Sequence, residues 1–249
     1  MSEINKKTGA KGELKSVERF SARAAEYSRH RPSYPQAALD RLEQEGWVEI
    51  GTKVADVGSG TGIFSEQLMG KGCRVWAIEP SSEMRGIAEG TLGSRSQFHS
   101  VTGDAGSIPL DDDSVDLVCA AQAFHWFDVE AARREFLRIS KPPHRVALLW
   151  NIRNHEGSPF MKGLREVVER YAVDFEAVSE AFDDNLAKME AFFGGSEDEG
   201  RFTHETFEQT VQAGQTDLLG LVTSFSYMHK PSDDDFGERI ADLQGLFAE

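Results

Sequence analysis

The chain is poor in cysteine, in long apolar runs and in positive charge, and each shortage excludes a class of protein. Its two cysteines, Cys73 and Cys119, form no Cys-x-x-Cys pair. That argues against a disulfide scaffold and against a thiolate zinc site, and no metal is expected. No uninterrupted apolar stretch approaches the roughly 20 residues that span a bilayer, so no membrane association is expected. The first residues are basic but lead into no apolar segment, which excludes a secretory leader, and the expected location is the cytoplasm. Lys and Arg number 27 against 42 Asp and Glu, a net charge of −15. Nucleic-acid affinity comes largely from neutralising phosphates, so a polyanion partner is not expected. What is plentiful is core material. With 39% hydrophobic residues over 249 positions, the chain can bury a core without staples.

The charge is unevenly placed. Residues 1–31 hold eight basic and four acidic residues, whereas 174–208 hold eleven acids and two bases. Most such runs are solvated surface. The basic start is also suited to closing over an anionic group.

The order of elements follows from periodicity. Val17, Phe20 and Ala24 suggest a first helix and Leu39 and Leu42 a second, separated by the break at Arg31-Pro-Ser-Tyr-Pro35. From residue 53 short apolar strands alternate with helices. Strands are expected at 53–57, 74–78, 97–101, 114–121 and 145–150, with helices after Gly62, over 82–89 and after Asp128. That alternation implies a parallel sheet covered on both faces, which binds ligands beyond the carboxyl ends of its strands. Residues 158–200 read as helical, 207–211 and 221–228 as an antiparallel strand pair, and 236–247 as a closing helix. The expected division is an N-terminal tail and lid over 1–46, a cofactor-binding core over 47–157, a helical cap over 158–205, and terminal strands and helix over 206–249.

Three strand ends carry recognisable chemistry. Gly58-Ser-Gly60-Thr-Gly62 follows the first strand, where glycine lets a backbone approach a ligand closely. The dinucleotide pattern G-x-G-x-x-G needs glycine where Ile63 stands, which speaks against a nicotinamide oxidoreductase, and no phosphate loop is present. Glu79, 23 residues past Asp56, stands at the end of the second strand, where an acid accepts from ribose hydroxyls. Gly103-Asp104-Ala105 follows the third strand, where an Asp can accept from an adenine amino group. Each alone is ordinary turn chemistry. In series they describe an adenosine site.

Val54-Ala-Asp-Val-Gly-Ser-Gly-Thr-Gly62, Ala77-Ile-Glu-Pro-Ser-Ser-Glu-Met84 and the run from Val101 to Val118 resemble the motifs of class I S-adenosylmethionine-dependent methyltransferases, in particular type 11 methyltransferase domains. The resemblance covers about residues 20–155. It implies a three-layer, Rossmann-like α/β fold with seven strands in the order 3-2-1-4-5-7-6, strand 7 antiparallel. It also implies S-adenosyl-L-methionine as cofactor and S-adenosyl-L-homocysteine as product. By position, Gly58, Ser59 and Gly60 would line the methionine part, Glu79 would take the ribose, Pro80 and Met84 would pack on the adenine, and Asp104 with the Ala105 backbone would bind its amino group. Asp56, Ala121 and Gln122 would meet the amino-acid end. An N-terminal Tyr27-x-x-x-Arg31-Pro-x-Tyr-Pro35, the Ala-Phe-His-Trp-Phe segment at 123–127 and Trp150-Asn-Ile-Arg153 resemble trans-aconitate- and cantharidin-type methyltransferases of small molecules.

Some residues invite more than cofactor binding. His125 lies just past the fourth strand and is the candidate general base, although among Phe124, Trp126 and Phe127 it also reads as a packed core histidine. Arg31, with Tyr27 one turn earlier, could pair with a carboxylate of cofactor or substrate, or simply close a helix. Arg153 and Trp126 are candidate substrate contacts; His30 and His155 read as ordinary polar positions. The expected activity is methyl transfer to an oxygen, nitrogen or carbon nucleophile of a small molecule, by a monomer or homodimer. The alternative is a cofactor-binding regulatory protein of the same fold.

Overall fold

A computed structural model of the chain describes residues 28–172, 185–197, 201–225, 228 and 235–247. The expected helix at 17–24, Tyr27 and Phe182 lie outside the described residues. The chain divides into two compact units. Ser33–Trp150 and Asp184–Gln209 belong to the first; Arg23–Pro32, Asn151–Asp183 and Thr210–Glu249 form the second.

The first unit is an α/β sandwich. After helix α1 (Gln36–Gln44) come β1 (Lys53–Val57), α2 (Ile63–Gly70), β2 (Arg74–Ile78), α3 (Ser82–Leu92), β3 (Phe98–Val101) and β4 (Val115–Ala121). A 3-10 turn (Phe124–Trp126), α4 (Val129–Ile139) and β5 (Ser140–Leu149) follow. The strands form one parallel sheet in the order β3-β2-β1-β4-β5. β1 lies at its centre, with Ala55 opposite Trp76 on one side and Val118 on the other. Buried on both faces, it reads as an unbroken apolar run interrupted only by Asp56.

Side-chain alternation splits the core in two. Val54, Val75 and Leu117 face Phe64, Leu68 and Leu92 of α2 and α3. Ala55, Val57, Ile78, Val118 and Ala120 face Ala132, Phe136 and Ile139 of α4, and Phe192 of the helix Asn185–Phe193. Helix starts are chemically marked. Ser81 accepts from the Met84 N–H and Asp128 from the Ala131 N–H, each supplying an acceptor for an N–H that the first turn leaves unpaired.

The second unit is helical: α5 (Pro159–Tyr171), α7 (Gln215–Thr223) and α8 (Phe236–Gly245). They share a core of Leu164, Val167, Val168, Leu218, Val222, Phe225 and Leu243. Between α5 and α7 in sequence, α6 (Asn185–Phe193) belongs to the first unit, so the helical stretch 158–205 contributes to both.

The sheet corrects the expected strand count. Among the described residues it has five parallel strands rather than seven, and no antiparallel one. Of the run expected as a strand over 221–228, Leu221–Thr223 end α7, where Leu218 and Val222 at i and i+4 are buried, and Met228 makes a single antiparallel bridge to Ala172. The local composition, Leu221-Val-Thr223, is strand-like, but the tertiary core selects the helical period. Residues 202–214 form no ladder: Phe207 is half-buried, while Val211 is 54% exposed, so the apparent alternation buries no face. The fifth strand begins at Ser140 rather than 145, after a register shift between Val115 and Leu117.

Candidate cofactor site

The carboxyl ends of β1, β2 and β4 converge on the glycine loop. Gly58, Gly60 and Gly62 all have left-handed φ, at 71°, 58° and 86°. Two of them also need their missing Cβ. At Gly58 a Cβ would come 2.5 Å from the Ala123 Cβ, and at Gly62 one would come 2.7 Å from Leu92 Cδ1. Gly60 differs: a Cβ there would meet nothing within 4 Å, so the loop presents bare backbone to open space at that point. The Gly58 and Ser59 N–H groups both donate to the Ile78 carbonyl, tying the loop to the end of β2.

Glu79 completes that tie. It is 8% exposed, and its two oxygens accept from the Gly60 N–H and the Ser81 N–H, each at 2.9 Å. Burial raises its pKa, opposed by those two N–H donors and by Arg85. Arg85 meanwhile donates to the Glu79 and Pro80 carbonyls. A carboxylate has about four lone-pair sites, so two remain for hydroxyl donors.

Asp56 is wholly buried one strand away. Ser65 Oγ donates to Oδ2 at 2.6 Å, while among the described residues no group bonds Oδ1. Burial pushes its pKa up to about 7, against the Ser65 hydrogen bond, and the nearby charge of Glu79 adds to the rise. A buried carboxyl with an open oxygen suits a cationic amino-acid end. Met84 is buried in the first turn of α3, whereas Pro80 is exposed. Asp104 is half-buried, its Oδ1 accepting from the Gly106 N–H in a tight turn, with Ala105 buried beside it. Ala121 ends β4, and Gln122 takes a left-handed φ of 57°, its N–H held by the Leu149 carbonyl. Such a φ costs a non-glycine residue about 1–2 kcal/mol and is retained where surroundings over-determine it.

His125 sits in the turn that follows, 8% exposed. Burial, with Lys188 nearby, lowers its pKa to about 3, so the ring is neutral throughout the physiological range. Its ring leans on Trp126 at 4.8 Å. Phe124 and Phe127 belong to the core and its margin, and Phe127 also lies 3.4 Å from the position a Gly58 Cβ would take.

The remaining candidates fall in the second unit. Arg31 donates to Ser224 Oγ at 3.1 Å and lies 5.0 Å from the Phe225 ring centre. Arg153 lies 3.9 Å from the same centre, so the structure brings these two arginines together. His30 packs against Gly220, and its Nδ1 is 3.8 Å from Asp217. Burial, then Arg153, lowers the pKa of half-buried His155. Sequence reasoning missed Ser65, Ser81 and Lys188. Ser81 was visible as an N-cap before a helix; Ser65 and Lys188 reach their partners only through the fold.

The geometry falls on known ground. Residues 55–148 match the methyltransferase domain family. An uncharacterized methyltransferase of Mycobacterium tuberculosis is 37% identical over 151 residues, 61% of this chain and 59% of that protein. An uncharacterized methyltransferase-like protein of Schizosaccharomyces pombe is 29% identical over 231 residues, 91% of this chain and 85% of its own. Among solved structures, a putative S-adenosyl-L-methionine-dependent methyltransferase from Methanococcus maripaludis aligns with a TM-score of 0.49 at 21% identity, covering 76% of this chain and 85% of that one. The chain spans about three-fifths of the length of the mycobacterial relative. The domain match and these relatives make the chain similar to methyltransferases.

Proposed function

We propose that the protein transfers a methyl group from S-adenosylmethionine to an oxygen, nitrogen or carbon nucleophile of a small molecule. One observation carries the reading: the methyltransferase match covers the loop at which bare backbone at Gly60, the half-satisfied Glu79 and the open oxygen of Asp56 occur together. Those features fit the cofactor. Glu79 would hold the ribose hydroxyls, Asp104 and Ala105 the adenine edge, Met84 and Pro80 its face, and Asp56, Ala121 and Gln122 the amino-acid end. Gly58, Ser59 and Gly60 would follow its backbone-facing side.

The bound cofactor supplies a methyl carbon already activated by positive sulfur. The chain's own part is alignment and exclusion of water. As the new bond to the nucleophile forms, the carbon–sulfur bond breaks and its electron pair stays with sulfur, giving S-adenosylhomocysteine. A nucleophile arriving protonated must lose that proton, and His125 is the proposed acceptor. Burial keeps its ring neutral at physiological pH and by the same cause weakens it as a base. If it serves, the pH–rate profile shows no break near 6.5 attributable to it. Turnover that survives His125→Ala would remove it from the reaction.

Arg31, together with Tyr27, is proposed for a carboxylate of the cofactor, and Arg153 and Trp126 for the substrate. Resemblance to the trans-aconitate- and cantharidin-type enzymes supports a small-molecule acceptor, with 47–157 devoted to the cofactor and 158–205 to substrate selection. The test is methyl transfer from labelled S-adenosylmethionine to panels of carboxylic acids, phenols and amines. Labelled product from one panel supports the reading. Tight cofactor binding with no transfer to any panel would favour a regulatory protein.

A further inference from the structure

The 123–127 turn is held from two sides. On one side it presses on the glycine loop, since the Ala123 Cβ occupies the space that a Gly58 Cβ would need and the Phe127 ring would touch that Cβ at 3.4 Å. On the other it meets α6. Within the turn the Trp126 N–H donates to the Ala123 carbonyl and the Phe127 N–H to the Phe124 carbonyl, each at 3.0 Å. A short helical turn leaves its later carbonyls without partners from its own backbone. The Lys188 ammonium donates to the His125 carbonyl at 3.0 Å.

Lys188 is one of two basic residues in the acidic stretch 174–208. It reaches a backbone oxygen 63 residues away in sequence. The rest of α6 fixes that reach. Phe192, 3% exposed, meets Phe124 edge-on at 5.3 Å and Phe136 at 5.5 Å. Arg133 Nε donates to the Phe192 carbonyl at 2.7 Å, anchoring the helix's far end. Helix α6 is thus pinned to α4 by Arg133 and to the turn by Lys188. The turn itself follows Gln122, whose left-handed backbone persists only under constraint from its surroundings.

We propose that Lys188 is a positioning residue for the cofactor loop: its hydrogen bond to the His125 carbonyl holds the 123–127 turn against Gly58. The inference rests on the reading of 58–62 as the cofactor loop. Without the ammonium the carbonyl loses a charge-assisted bond, the turn loosens, and the loop loses the wall that keeps Gly58 in place.

The test uses the full chain with Lys188→Met, Lys188→Arg and, should the first misfold, Lys188→Gln. Hydrogen exchange is followed in segments 58–62, 122–127 and, as a control, 98–101, and S-adenosylmethionine affinity is measured by calorimetry. Lys188→Met is expected to speed exchange in the first two segments but not the third, and to weaken binding by about tenfold. Lys188→Arg is expected to restore both. Wild-type exchange and wild-type affinity in Lys188→Met would overturn the proposal, as would an equal loss of protection in all three segments, which marks a general structural role. If the wild-type chain does not bind S-adenosylmethionine, the cofactor reading fails by itself. The exchange comparison then still decides whether Lys188 holds the turn.

Discussion

Glu79 fastens the glycine loop through both its oxygens and is also the proposed holder of the ribose. Its replacement therefore tests both. Glu79→Ala should weaken S-adenosylmethionine binding by about 1–3 kcal/mol, read by calorimetry; unchanged affinity would take Glu79 out of the site. Asp56 makes a different prediction. Burial raises its pKa from an ordinary 3.8 to about 7 in the folded chain. Well below its ordinary 3.8 it is protonated in folded and unfolded chains alike. As pH rises towards 7 the unfolded chain gives up the proton first, so stability falls through that window and stays lower above it. Three pH units bound the effect at about 4 kcal/mol. Asp56→Asn should flatten that part of the dependence, and urea midpoints at pH 5 and pH 8 should differ less than in the wild type. At Gly58 the objection to a side chain is steric as well as conformational, because the Ala123 Cβ is 2.5 Å from where the new carbon would stand. Gly58→Ala should cost about 1–3 kcal/mol in urea denaturation, and a neutral result would show that the turn yields freely. Asp56, Gly58, Glu79 and Asp104 were legible because strand ends and turn residues are local signals. Lys188 and Ser65 were not, since their partners lie far away in sequence or across a helix.

Elements were readable where two signals agreed. The helix of α3 had both a cap at Ser81 and an apolar stripe through Met84 and Ala88; Ser81→Ala should lower stability by about 1 kcal/mol in urea denaturation. The strands around β1 showed continuous burial that only a covered parallel sheet requires. The end of helix α7 was misread because Leu221-Val-Thr223 has strand composition over a few residues, whereas the helical period shows only once Leu218 is set beside Val222. Periodicity needs a longer window than propensity, and tertiary burial settles the conflict. The start of β5 was missed for a related reason: Lys141, Pro142 and Pro143 break the apolar run, yet the chain is already extended beside β4 there.

At the scale of the whole molecule, composition set limits and the fold supplied the reason for them. No helix among the described residues is long and apolar enough to cross a membrane. The negative balance of −15 does not describe the cofactor unit evenly, because the ammonium of Lys188 turns inward from the most acidic stretch. The first unit contains the matched region 55–148, the glycine loop and His125. The measurement closest to the central claim is a calorimetric titration of the full chain with S-adenosylmethionine, S-adenosylhomocysteine and NAD. Saturable binding of both S-adenosyl compounds, weakened by Glu79→Ala, with no heat from NAD, is the predicted result. Saturable NAD binding with no response to either S-adenosyl compound would contradict the account.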